Sequence, residues 1–193
     1  MAEADRARWD ERYRGFPDPG QPSALVTSCA RWLPTRGRAL DVAGGAGRHA
    51  LWLATRGLAV TLTDISPVGL EVARRSAAAR GLALTTLELD LEQAPPPAGP
   101  WDVVLAFHYL QRELWPALVA ALAPGGVLML VQPTLKNLER HDRPRASHLL
   151  GEGELGAWAA GQPLEVLALD EGWLEEGRHE ARLVARVVLS PSP

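Results

Sequence analysis

The segment Ala39-Leu-Asp41-Val-Ala43-Gly44-Gly45-Ala46-Gly47-Arg48-His49 limits what this chain can fold into more than any other. An apolar run of strand length passes into a turn made only of glycine and alanine, and a helical pattern over Arg48–Arg56 follows at once. Residues without bulk let a backbone approach a ligand closely. The first turn of the following helix offers N–H groups that have no partner inside the helix. A strand, a tight turn and a helix in this order are the opening unit of a sheet layered with helices.

The rest of the chain repeats that alternation. Strand-length apolar runs lie at Arg38–Ala43, Ala59–Thr63, Leu84–Leu89, Trp101–Ala106, Val127–Gln132, Leu164–Leu169 and Leu183–Leu189. Helical patterns lie between them at Pro67–Arg80, Arg112–Leu122 and Glu152–Ala160. Ser66 is placed to cap a helix that begins at Pro67, where a missing N–H costs nothing, and Gly81 is placed to end it. The pattern predicts an α/β fold with a mostly parallel sheet covered on both faces. The last two strands, parted only by a turn around Glu175–Gly177, are expected to pair as an antiparallel hairpin. Pro95–Pro97 reads as a stiff loop and Ser190–Pro193 as a frayed tail.

At 193 residues the chain has the length of one domain. Cys29 is its only cysteine, which leaves no internal disulfide and suits a reducing cytoplasm. Met1 to Arg12 is mostly charged and lacks the apolar stretch of a secretory leader. No apolar run approaches the ~20 residues of a membrane span. A net charge of −3 with interspersed signs gives no basic stripe for nucleic acid.

Two details of the glycine turn bear on what it binds. A dinucleotide fingerprint, G-x-G-x-x-G, registered from Ala43 and Gly45 would place its third glycine at Arg48. Asp41 sets a carboxylate at the mouth of the turn, which repels a pyrophosphate and attracts a cation. S-adenosylmethionine carries both an ammonium and a sulfonium. Asp64, with Ile65 beside it, ends the second strand about twenty residues beyond the glycines, where an acid accepts bonds from ribose hydroxyls. Asp90 ends the third run and can accept from an adenine amino group, with Leu91 against the ring. Three acids at successive strand ends make one crevice.

These residues resemble the class I S-adenosylmethionine-dependent methyltransferases. Trp101-Asp102-Val-Val-Leu is similar to that family's fourth-strand motif, and Leu122-Ala-Pro124-Gly125-Gly126-Val-Leu to its turn into the fifth strand. Gly45-Ala-Gly47-Arg48-His49, Arg143-Pro-Arg-Ala-Ser-His-Leu149-Leu150 and Glu154-Leu155 resemble the bacterial tellurite-resistance type. The resemblance implies a Rossmann-like seven-stranded mixed sheet in the order 3-2-1-4-5-7-6, with the last strand antiparallel. It implies a single domain over residues 1–193, with an N-terminal helical cap (1–33) and a substrate lid (136–150). S-adenosylmethionine would be held by Asp41, Ala43, Gly44, Gly45, Gly47, Arg48, Asp64, Ile65, Asp90, Leu91, Phe107 and Tyr13, with no metal. Ala43 departs from the pattern, standing where the family usually has its first glycine, and predicts a tighter pocket wall with binding retained.

Phe107-His108-Tyr109 follows the fourth strand, where the transferred methyl is expected to point. His108, Tyr109 and Arg143 are the candidates for catalysis, since imidazole titrates near the working pH. A plain wall residue is the competing reading of His108, and core packing that of Trp9 and Tyr13, which share a helical face. In the segment beyond the fifth strand, Lys136, Arg140, Arg143 and Arg145 face Glu139 and Asp142, a surplus that favours a small anionic acceptor. The expected function is methyl transfer to a small molecule in the cytoplasm, with neither nucleic acid nor membrane as partner. A regulatory protein that binds the cofactor without turnover, and an NAD-dependent oxidoreductase, are the alternatives; a chalcogen oxyanion, a halide, a thiol and a small carboxylate all remain open as acceptors.

Overall fold

A computed structural model describes residues 2–188. Leu189 of the expected last strand and the tail Ser190–Pro193 lie outside the described residues. Seven strands form one sheet: β1 (Arg38–Val42), β2 (Ala59–Asp64), β3 (Leu84–Glu88), β4 (Trp101–Phe107), β5 (Leu122–Pro133), β6 (Leu164–Trp173) and β7 (His179–Val187). Their order is β3-β2-β1-β4-β5-β7-β6, as the resemblance implied. Neighbours from β3 to β5 pair in parallel, and β7 runs antiparallel to both β5 and β6. The helices are α1 (Ala2–Tyr13), α2 (Ala24–Ser28), α3 (Arg48–Thr55), α4 (Pro67–Ala79), α5 (Trp115–Ala120) and α6 (Glu154–Ala160).

The two-residue period of a strand divides the core between the faces of the sheet. Leu40, Val104, Leu128, Leu130 and Leu183 pack under Trp115 and Leu118 of α5 and Leu155 of α6. The alternate positions Ala39, Val103, Leu105, Met129 and Val184 pack under Val26, Ala50, Leu53 and Leu70 from the helices of the first half. Both faces are therefore covered, and the central strands are apolar on each side, as a buried parallel sheet requires.

The observed elements correct several expected boundaries. The run Arg112–Leu122 is not one helix: a 3-10 turn at Arg112–Leu114 leads into α5, and Leu122 already pairs with Trp101 in the sheet. Thus β5 starts before its apolar run, carrying Pro124-Gly125-Gly126 along its edge with a register shift opposite Trp101 and Val103. The third strand ends at Glu88, so Asp90 sits in the loop beyond it. The last hairpin is longer than expected. Leu174 N–H donates to Arg178 O at 2.7 Å, and the ladder resumes at Trp173–His179, so β7 begins with the polar pair His179-Glu180 that masks its apolar pattern.

The cap of α4 forms as its residues require. Ser66 Oγ accepts from Gly69 N–H at 3.0 Å and Pro67 holds the first helical position. At the other end Gly81 is left-handed at φ 65°; Leu82 N–H reaches Ala77 O at 2.9 Å and Gly81 N–H reaches Ala78 O at 3.1 Å. The Ser66 hydroxyl in turn donates to Asp10 Oδ1 of α1, which latches the N-terminal helix to the start of α4. Among the described residues no helix is long and apolar enough to cross a membrane. Ser66→Ala removes both the cap and the latch, and is expected to lower stability by about 1–2 kcal/mol. Urea titration would read this as a lower midpoint with an unchanged slope.

Candidate active site

The carboxyl ends of β1, β2 and β4 open into a cavity of ≈ 1490 Å³, larger than one drug-sized ligand needs, so it has room for two molecules. β1 delivers Asp41 to its floor, 1% exposed. One carboxylate oxygen, Oδ2, accepts from Ala50 N–H of α3 at 3.1 Å, and the other, Oδ1, has no hydrogen-bond partner. Burial pushes the Asp41 carboxyl up to about 7, against the pull of the Ala50 amide and with a further push from the Asp64 charge.

The turn that follows is left-handed at Ala43 (φ 50°), Gly45 (φ 60°) and Gly47 (φ 82°). Gly44 leaves room for the Asp41 carboxylate and Leu62, which a Cβ there would overlap. Asp64, 6% exposed, ties the turn to β2 and to α4: Oδ2 accepts from Gly45 N–H at 2.7 Å and Oδ1 from Ser66 N–H at 2.8 Å. Burial raises its carboxyl above the usual range while those two amides hold it down. Each oxygen still has a lone pair for a further donor.

The cavity gathers nearly all of the residues singled out in the sequence. Asp41, Ala43, Gly44, Gly47, Arg48 and Asp64 line it from the first half of the sheet. Ile65, Asp90, Leu91 and Phe107 add the flanking wall. Gly45 is the exception. It does not face the cavity, because the Tyr13 ring lies against it and against Gly69, where a Cβ at either position would overlap that ring. Tyr13 itself lines the cavity and stacks on Trp9 at 5.9 Å between ring centroids, so α1 folds over this end of the site. Asp90 has both oxygens engaged in its own turn, by Glu92 N–H at 3.0 Å and Gln93 Nε2 at 2.5 Å.

The three candidates for catalysis also line the cavity. His108 is left-handed at φ 61°, its N–H held by Val131 O at 2.8 Å, with 30% of its side chain exposed. Its Nε2 lies 2.7 Å from Glu180 Oε1. The Tyr109 hydroxyl donates to Gln111 Oε1 at 2.8 Å, and burial together with Glu92 and Asp90 pushes it up to about 12. Arg143 is exposed and makes no ion pair among the described residues. Of the cations in the segment beyond β5, Arg140 and Arg143 reach the cavity, whereas Lys136 lies near Glu152 at 4.0 Å. Arg140 stacks on Trp173 at 3.8 Å, and His141 Nε2 donates to Gly177 O at 2.8 Å, which seats this segment on the β6–β7 turn.

Glu180 and His49 are among the residues of the site that were not singled out in the sequence. Glu180 falls between the expected turn around Glu175–Gly177 and the apolar run that begins at Leu183, because the polar pair His179-Glu180 hides the start of β7. His49 lines the cavity 4% exposed, edge-on to Phe107 at 4.5 Å, with Nε2 unpartnered; burial and the neighbouring Arg48 charge push it down to about 3, so the ring is neutral. Its place directly after Arg48 in the turn motif was the available signal. No group of three or more His, Cys, Asp or Glu placed to hold a metal ion occurs among the described residues.

Comparison with known proteins agrees with this geometry. A family model described as a methyltransferase domain matches residues 39–126. A demethylmenaquinone methyltransferase of Thermus thermophilus is 39% identical over 102 residues, covering 49% of this chain and 46% of that protein. The matched segment thus spans under half the length of that curated relative. The crystal structure of TehB from Haemophilus influenzae superposes with a TM-score of 0.71 at 20% identity, covering 94% of this chain and 66% of that one. Magnesium protoporphyrin IX methyltransferase from Synechocystis, solved with bound S-adenosylmethionine, superposes at 0.69 with 19% identity over 96% of each chain.

The left-handed Ala43 carries a steric cost of about 1–2 kcal/mol that glycine would not. Ala43→Gly is therefore expected to stabilise the protein by up to about 1 kcal/mol after the entropy of the freer unfolded chain is subtracted. A thermal melt with a lower midpoint would show that the strain is absent. Asp41 has a folded-state pKa above its ordinary 3.8, so its stabilising protonation is fully present below about 4 and is lost as pH rises to about 7. Stability is expected to fall across that window, and Asp41→Asn to remove this part of the slope in denaturant titrations at stepped pH.

Proposed function

We propose that this chain, whose residues 39–126 are a methyltransferase domain on the class I S-adenosylmethionine-dependent methyltransferase fold, transfers a methyl group from S-adenosylmethionine to a small molecule. One observation carries the reading. A buried carboxylate with an unpartnered oxygen, Asp41 Oδ1, lies on the floor of a cavity beside the glycine turn, and so favours a cationic ligand there. The donor set fits the cofactor. Asp41 supplies the counter-charge, Asp64 keeps lone pairs for hydroxyl donors, and Leu91, Ile65 and Phe107 supply apolar walls for a base. A pyrophosphate does not fit beside two carboxylates.

When bound, S-adenosylmethionine supplies a methyl group made electrophilic by the sulfonium. The protein's part is to place and to shield. Asp41, Arg48 and Tyr13 hold one end of the cofactor, and Asp64 and Asp90 the other. α1 and the residues that follow it as far as Pro19 close over the first end, and residues 136–150 form the lid that brings the acceptor in with Arg140 and Arg143 at its rim. Most of the rate enhancement comes from holding the acceptor in line and excluding water. Small-molecule chemistry is supported by the size of the cavity and by the quinone and porphyrin substrates named for similar proteins.

Calorimetric titration with S-adenosylmethionine, S-adenosylhomocysteine and NAD tests the reading. Binding of the first two in the micromolar range without NAD is the expected outcome, and binding of NAD alone would overturn it. Because a bound cation favours ionised Asp41, affinity for S-adenosylmethionine is expected to rise with pH up to about 7 and then level off. Asp41→Asn should bind more weakly, without this part of the rise. Asp64→Ala is expected to weaken cofactor binding by roughly 1.5–3 kcal/mol.

A further inference from the structure

We infer that Glu180 holds His108 as a proton acceptor, and that the molecule methylated in this cavity is a protic hydroxyl compound, a phenol or enol, taking the methyl on oxygen. The inference rests on the methyl-transfer reading above and narrows its substrate class.

The geometry of the pair carries it. Glu180 Oε1 lies 2.7 Å from His108 Nε2, and the Glu180 side chain is 5% exposed. A carboxylate only accepts, so Nε2 bears the proton, and in the neutral ring Nδ1 keeps its lone pair. No group among the described residues hydrogen-bonds Nδ1, and the ring lines the cavity. Burial alone would raise the Glu180 carboxyl, yet His108, Arg178 and Arg182 together hold it below the usual range, which keeps it ionised. Arg178 Nε stands 3.4 Å from the same oxygen. His49 of α3 lines the same cavity and is close enough to feel the His108 charge, and Arg140, Asp142 and Arg143 line it from the segment after β5.

A wall residue needs none of this. His108 is held in a left-handed backbone conformation, one of two non-glycine residues at positive φ among those described, and both line this cavity. The reversal of β7 brings the start of that strand, Glu180 opposite Pro133, to the end of the sheet where β4 releases His108. An oriented, carboxylate-backed imidazole is what a general base requires, and such a base accelerates proton removal by roughly 10²–10⁴. A halide or an oxyanion has no proton to give, so the pair would add nothing to its methylation. A phenol, with a pKa of about 10 like that of tyrosine, is ionised only to a small extent at neutral pH and gains most. As a lone pair of the hydroxyl oxygen forms the bond to the methyl carbon, the carbon–sulfur pair passes to sulfur and the hydroxyl proton to His108 Nδ1. The imidazolium is then neutralised by Glu180 until it releases the proton to solvent. Glu180 is a positioning residue in this scheme.

Long-range proton–nitrogen NMR of the protein saturated with S-adenosylhomocysteine reads the pair directly. The Nε2–H form of His108 is expected at neutral pH, and Glu180→Gln is expected to shift the tautomer population toward Nδ1–H. A dominant Nδ1–H form in the unsubstituted protein, or a tautomer population unmoved by Glu180→Gln, overturns the inference. In parallel, transfer of a labelled methyl group is measured with catechol and with iodide as acceptors. Catechol should be methylated in preference, and Glu180→Gln should lower kcat at least tenfold and shift its pH profile, with the KM for S-adenosylmethionine unchanged. Preference for iodide overturns the inference; if neither probe reacts, the NMR result decides. Should Glu180→Gln fail to fold, His108→Asn, which tolerates the left-handed backbone, must show the same loss of kcat. Absence of S-adenosylmethionine binding would instead sink the methyl-transfer reading itself.

Discussion

The site depends on how the Asp64 carboxylate is used. Its two oxygens accept from Gly45 N–H and Ser66 N–H, so a single buried acid joins the glycine turn after β1 to the start of α4 after β2. Two buried amides that would otherwise cost about 1–3 kcal/mol each are satisfied by one charge-assisted partner. Ser66 then passes the connection on, capping α4 through Gly69 and holding Asp10 of α1. The floor of the cavity and its N-terminal cover are thus parts of one hydrogen-bonded chain. Asp41 lies beside that chain but is left half-satisfied.

The two halves of the sheet contribute different chemistry. The segment matched by the family model, 39–126, holds the turn, the acids at the ends of β1 and β2, and His108. The groups that surround His108 come mostly from beyond it: Glu180 and Arg178 from the β6–β7 hairpin, and Arg140 and Arg143 from the connection after β5. Antiparallel β7 makes this combination available. A parallel strand in the same place would carry its first residues to the opposite end of the sheet, away from His108.

Strain is concentrated at the same place. Ala43 and His108 are the two non-glycine residues at positive φ among those described, one at the mouth of the turn and one at the end of β4. Neighbouring hydrogen bonds hold both: Ala43 N–H reaches Thr63 Oγ1 at 3.4 Å, and His108 N–H reaches Val131 O. Backbone conformations of this cost persist where surrounding structure over-determines them, and they gather at functional sites.

Local pattern determined much of this protein. The alternation of strand and helix periods, the Ser66–Pro67 cap, the turn from Ala43 to Gly47 and the acids Asp41 and Asp64 were all legible, because each is specified by residues close in the chain. The strand order came from a resemblance and agreed with the fold. Tertiary structure alone decided what no local signal encodes. It set Tyr13 against Gly45, so that this glycine serves the cover and does not face the cavity. It divided Asp64 between two amides, and it extended β7 back to His179 because pairing with Trp173 outweighs a polar sequence. Above all it brought Glu180 to His108 across 72 positions of chain, since the partner of a buried charge is chosen by sheet register and not by sequence distance.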